Sequence, residues 1–225
     1  YTVTDQSSTT ASITPRPAGV SGITVFGLAV NNKEYDGTVT APLDTSSILY
    51  SGILPADSAD VTGIYSGVFA NPNVGIGKTV TITSSYSGAK AGNYSFTDQS
   101  TTTGNIVPKV LTATASAANR TYDAGTTATT TLTLSGLVGS ETLGSTNTST
   151  FNNKNVGTGK TVTVNSITLT DGSGLASNYS ISAGQTTTAN ITAKALTVSG
   201  ITASNKTYDG NATAILDASS VAYSG

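Results

Sequence analysis

The sequence predicts an all-β chain of small domains in tandem, each an immunoglobulin-like sandwich or a β-grasp-like sheet, returning about every 86 residues. Composition is the first reason. Thr, Ser, Gly, Val and Ala dominate while strong helix formers are thin, the balance expected of strands and turns. A hydrophobic fraction of 36% with a mean hydropathy near zero is too high for a chain held open by charge, so modest folded cores are expected. The second reason is period-two alternation, and the third is the return of three sequence blocks in one order.

Alternation marks the strands in turn. Thr79-Val80-Thr81-Ile82-Thr83, Thr131-Leu132-Thr133-Leu134, the run Thr161 to Leu169, and Leu196-Thr197-Val198 each place apolar residues on one face and Thr on the other. Gly, Asn, Asp and Ser interrupt these runs often enough to predict five to seven short strands per domain. Helix signals are nearly absent: the best candidate, Ser135 to Glu141, is too short and too Gly-rich. The segment Val20 to Val30 carries about six residues that the other copies lack and reads as a longer strand or a bulged hairpin.

The repeated blocks set the domain plan. Lys33-Glu34-Tyr35-Asp36-Gly37 returns as Arg120-Thr121-Tyr122-Asp123-Ala124 and Lys206-Thr207-Tyr208-Asp209-Gly210, with tyrosines 87 and 86 residues apart. Asn73-Val74-Gly75-Ile76-Gly77-Lys78-Thr79-Val80 returns 82 residues later as Asn155-Val156-Gly157-Thr158-Gly159-Lys160-Thr161-Val162. Asn93-Tyr94 and Asn178-Tyr179, with a counterpart at Tyr1, each precede Thr-rich residues and an Ile-x-x-Lys/Arg ending. Residues 1–17 therefore read as the last strand of a preceding repeat, 18–107 and 108–193 as complete repeats, and 194–225 as the start of another.

Composition also excludes function classes. A net charge of −2 with 10% charged residues provides no basic field for nucleic acid or an anionic bilayer. No apolar run approaches a membrane span, so membrane insertion is not expected. Cys, Met, Trp and His are absent, which removes thiol chemistry, disulfides, imidazole metal sites and His acid–base catalysis. No enzyme activity and no cofactor are expected, and a long Cys-free β chain fits an exported protein.

The blocks have physical readings of their own. Asp-Gly after an aromatic is a turn: Asp36 bonds its own downstream backbone, Gly37 takes positive φ, and Tyr35 buries its ring while keeping its hydroxyl for a backbone partner. Ala124 stands where the other copies have Gly37 and Gly210, and Gly125 beside it suggests a turn shifted by one. Gly75, Gly77 and Lys78, like Gly157, Gly159 and Lys160, superficially resemble a phosphate loop. The first Gly of that motif is missing and a strand follows, so a Gly-rich turn entering a strand is expected, with both lysines solvated at the sheet edge. An isopeptide crosslink from Lys78 or Lys160 to Asn93, Asn178, Asp36 or Asp123 needs a buried Lys beside an acid, and a Lys followed by Thr after two glycines reads as exposed, so no crosslink is expected. Asp57 to Asp60 and Asp171 to Gly174 lack the alternating carboxylates of a calcium loop and read as turns.

Together the Tyr-Asp-Gly, Asn-Val-Gly-x-Gly-Lys-Thr-Val and Asn-Tyr-Ser blocks resemble the YDG-type repeat of large bacterial adhesins, the haemagglutinin-like exoproteins, over essentially the whole chain. That resemblance implies a stalk or spacer outside the cell, projecting a distal binding region, with neighbouring repeats as the principal partners. At about 86 residues per domain, each repeat adds roughly 35–40 Å if extended. The rival is a low-affinity, multivalent module for host or bacterial surface glycans. Outward-facing Tyr35, Tyr50, Tyr65, Tyr86 and Tyr122 favour binding; the same rings in the core favour the spacer.

Overall fold

The computed structural model describes residues 8, 10–15 and 22–225, so most of the strand assigned to a preceding repeat lies outside the described residues. The protein is nearly all β. It divides into two compact units whose boundary does not follow the sequence repeats. The first unit comprises Tyr1–Val110, Val138–Thr142 and Gly172–Ser180; the second comprises Leu111–Leu137, Leu143–Asp171 and Ile181–Gly225.

In the first unit a five-stranded sheet runs in the order Lys33–Glu34, Thr101–Val107, Gly75–Ser87, Thr62–Phe69, Thr40–Ala41. The Lys33–Glu34 edge pairs parallel to its neighbour and the rest are antiparallel. Alternation becomes burial here: Val80 and Ile82 are buried while Thr79, Thr81 and Thr83 face outward. Ala41, Phe69, Val80 and Ile106 fill the inner face at this end. A smaller sheet, Leu49–Ser51, Ile23–Phe26 and Phe96–Thr97, packs on the long strands through Ile23, Val25, Val61, Tyr65 and Tyr86. Helix is confined, among the described residues, to 3-10 turns at Pro55–Asp60, Ala91–Asn93 and Ala176–Asn178, too short to cross a sheet.

The second unit repeats the order: Arg120–Thr121, Thr186–Thr192, Gly157–Asp171, Leu143–Phe151, Thr127–Ala128. In its core of Ala128, Phe151, Val162, Ala189 and Ile191, all but Ala189, which stands where the first copy has Gly104, match the first copy's core residues by sequence position. Thr112–Ala117 pairs with Thr130–Ser135 without interruption. In the first copy the corresponding strand is broken at Gly27 (φ +93°) into Ile23–Phe26 and Ala29–Val30. The segment expected to be a longer strand or a bulged hairpin is thus interrupted at Gly27, where a Cβ would sit against the Ser47 carbonyl oxygen.

Two expectations fail in instructive ways. The strands Gly75–Ser87 and Gly157–Asp171 have 13 and 15 residues, longer than predicted, because glycines read as turns stay within the ladder. In 194–225 only the pairs Thr197–Ser199 with Ala222–Ser224 and Thr202–Ala203 with Leu216–Asp217 form. Leu196 and Val198, predicted to share an apolar face, are 62% and 52% exposed.

Candidate functional site

The Tyr-Asp-Gly turn is held by a cation two residues before the tyrosine. Lys33 is buried, and its ammonium lies 2.8 Å from Asp36 Oδ1 while donating to the Thr38 and Thr40 carbonyl oxygens at 2.7 and 2.9 Å. Asp36 Oδ1 also accepts the Thr38 amide and hydroxyl, each at 2.8 Å. Burial pushes the Asp36 carboxyl up, but the bonds from Lys33 and Thr38 outweigh it and hold the group below the usual carboxylate range. Arg120 makes the same staple, reaching Asp123 and the Thr127 and Gly125 carbonyls and lying 5.5 Å from the Phe151 ring centroid. Lys206 repeats it with Asp209, Asn211 and the Thr213 carbonyl. Asp123 and Asp209 accept the Gly125 and Asn211 amides, as their turn chemistry predicts.

Gly37, Ala124 and Gly210 have φ of +77°, +68° and +80°. The second turn has not shifted to Gly125: Ala124 itself takes the left-handed conformation. The third turn forms around Lys206 and Asp209 although Tyr208 is 93% exposed. Turn formation is thus local, and burial of the tyrosine is tertiary.

The Gly-x-Gly-Lys blocks are β-bulges inside central strands, not turns leading to an edge. The ladder shifts register at Gly75–Lys78 and Gly157–Lys160, with Gly77 and Gly159 at φ +63° and +59°. Asn105 and Asn190 accept the Gly77 and Gly159 amides, both at 2.8 Å. The lysines are not simply solvated: Lys78 bonds Asn71 Oδ1 at 2.6 Å and Lys160 bonds Asn153 Oδ1 at 2.5 Å. Their partners are therefore these turn asparagines rather than Asn93, Asn178, Asp36 or Asp123.

A polar cluster lies within the first unit, where the turn of the first copy meets segments 138–142 and 172–180. Tyr35, Asn178 and Tyr179 are all buried. The hydroxyls of Tyr35 and Tyr179 donate to the two oxygens of Glu141 at 2.7 and 2.6 Å, and the rings meet edge-on at 5.4 Å. The Val138 amide donates to the Tyr179 oxygen at 3.0 Å. Asn178 accepts the Val74 amide at 2.9 Å and donates to Asn73 Oδ1 at 3.1 Å, joining two of the repeated blocks. Burial and the Glu141 carboxylate push the Tyr35 hydroxyl up to about 12 and raise that of Tyr179, so both remain donors at neutral pH. The expected backbone partner for the Tyr35 hydroxyl is replaced by an acid 106 residues away.

Half of this cluster recurs in the first copy. The Tyr94 hydroxyl donates to Asp57 Oδ2 at 2.7 Å and accepts the Leu54 amide at 3.3 Å. Sequence reasoning missed these acids, the stapling cations and the bulge-capping asparagines. Each carried a signal: Ser51-Gly52-Ile53-Leu54 then Asp57 returns 84 residues later as Ser135-Gly136-Leu137-Val138 then Glu141. Among the described residues no group of three or more acidic side chains could hold a metal. Tyr50, Tyr65 and Tyr86 are half-buried against the first unit's core, and Tyr122 packs against that of the second.

A family model described as YDG domain matches residues 14–103 and again 107–189. No curated protein and no solved structure shows significant similarity to the chain.

Proposed function

We propose, from the premise that this chain belongs to the YDG domain family, that its copies form a spacer in an exported bacterial adhesin of the haemagglutinin-like type. They hold a distal binding region away from the cell surface and perform no reaction. The observation that carries this reading is the use of the repeated residues. The Tyr-Asp-x turn, the glycine bulge and the Asn-Tyr block all engage other parts of the chain. Residues selected for a soluble ligand would point outward, whereas Tyr35 is 4% exposed and its hydroxyl is taken by Glu141.

A glycan array and a host-cell binding assay on the folded chain, with circular dichroism first confirming β structure, test the proposal. Absence of binding at high concentration and in multivalent display is the expected result. Specific, saturable binding would make the repeats the adhesive element.

A further inference from the structure

We infer that the groove lined by Leu54, Asp57, Asn93 and Tyr94 is a socket for the Tyr-Asp-x turn of a YDG copy preceding it in the chain. This deepens the proposed function and rests on its serial arrangement of copies. The groove encloses about 570 Å³ and is also lined by Ile13, Thr14 and Pro15. Its polar groups repeat those around Tyr35 one for one. Tyr94 answers to Tyr179, Asp57 to Glu141, and Leu54 to Val138, with an amide three residues before the acid donating to the tyrosine oxygen in both places. Around Glu141 one carboxylate oxygen holds Tyr179 and the other holds Tyr35, the incoming turn. Asp57 uses Oδ2 for Tyr94, which leaves Oδ1 placed for an incoming tyrosine hydroxyl.

Apolar residues give a second, independent indication. A Cβ built at Gly37 would lie 3.1 Å from Val138 Cγ1, so turn and acid loop are in direct contact; the matching Leu54 is 48% exposed. Among the described residues Leu54 lacks the cover that the turn supplies to Val138. The second copy carries the matching plug: Tyr122 and Val156, the counterparts of Tyr35 and Val74, border an open groove, and Val156 is 54% exposed.

The absence of Cys makes the test direct. The full chain is lengthened at its start by a copy of residues 108–178, so that a complete copy precedes Tyr1. Leu54→Cys is combined with Ala124→Cys in the added copy, and Gly37→Cys with Val138→Cys in the original chain provides the reference rate. A 3.1 Å approach between Cβ and the neighbouring γ position suits a disulfide. The Leu54/Ala124 pair is expected to close at the reference rate, and Asp57→Ala to slow it several-fold. Amide exchange at Leu54 and Tyr94 should slow on lengthening the chain. Thiols that stay reduced while the reference pair closes, or closure indifferent to Asp57→Ala, would overturn the socket. Neither result bears on glycan binding, so the spacer reading fails or survives separately.

Discussion

The two copies agree closely at one end and differ at the other. Around the Tyr-Asp-x turn, Ala41, Phe69, Val80 and Ile106 in the first copy correspond to Ala128, Phe151, Val162 and Ile191 in the second, and all are buried. Away from the turn the first copy packs Tyr50, Tyr65, Tyr86 and Phe96 around Ile23, Val25 and Val61, with Tyr86 and Phe96 stacked at 3.7 Å. The second copy places Ala113 and Ala115 opposite Leu134 and Leu132. One fold therefore tolerates an aromatic filling or a small-residue filling there, while the turn end keeps its volume and chemistry. The difference teaches that the defining residues of the repeat serve the turn and its docking, with the remaining core free to vary.

The shared core yields the largest expected effect. Phe69→Ala and Phe151→Ala should each cost about 3–5 kcal/mol, because both rings are almost wholly buried. Amide exchange in Gly75–Ser87 and Gly157–Asp171 reports each unit separately. Costs differing by more than about 2 kcal/mol would break the equivalence of the two cores.

A smaller effect separates the acids. Glu141→Ala leaves two buried tyrosine hydroxyls without their acceptor and should cost the first unit about 1–3 kcal/mol. Asp57→Ala removes one such bond, from Tyr94, and should cost less. The readout for Glu141→Ala is exchange of the Tyr35 and Val74 amides, and an effect confined to the second unit would contradict the clustering around Tyr35. Alkali probes the same cluster. Burial and Glu141 raise the Tyr35 hydroxyl from 10.0 to about 12, so its contribution is fully present below pH 10 and is lost as pH rises through about 12. Tyr86, raised to about 12 by burial and by Asp98, adds to the loss within the same unit. Tyr35→Phe should flatten the alkaline limb of the first unit's stability curve, measured by denaturant midpoints across that range.

How much of this the sequence disclosed depends on the range of each interaction. The Asp36, Asp123 and Asp209 turns are two-residue events, and Asp-Gly chemistry predicts them even at the uncovered third copy. Lys33, Arg120 and Lys206 were equally readable, being fixed two residues before each tyrosine. Gly77 and Gly159 misled because positive φ serves turns and bulges alike; only the strands ladder-bonded on either side distinguish them. The destination of Tyr35 was hidden because Glu141 lies in the next copy, and an acid in a Ser-Gly loop reads as surface until the two occurrences are aligned.

The smallest effect concerns the one departure from the turn pattern. Ala124 is the only non-glycine residue at positive φ among the described residues, at +68°. An L side chain in that conformation costs roughly 1 kcal/mol, while a glycine adds conformational freedom to the unfolded chain. Ala124→Gly should therefore stabilise the second unit by only about 0.5 kcal/mol. Gly37→Ala should destabilise the first by more, since its methyl group would meet Val138 at 3.1 Å besides adopting φ +77°. Arg120 holds Asp123 and the Gly125 carbonyl on either side of Ala124, as Lys33 holds Asp36 and the Thr38 carbonyl around Gly37, but with a planar fork in place of a point charge. If Ala124→Gly has no effect alone but stabilises in an Arg120→Lys background, the fork of the arginine is what absorbs the strain, and the cation before the tyrosine sets which residues the turn accepts.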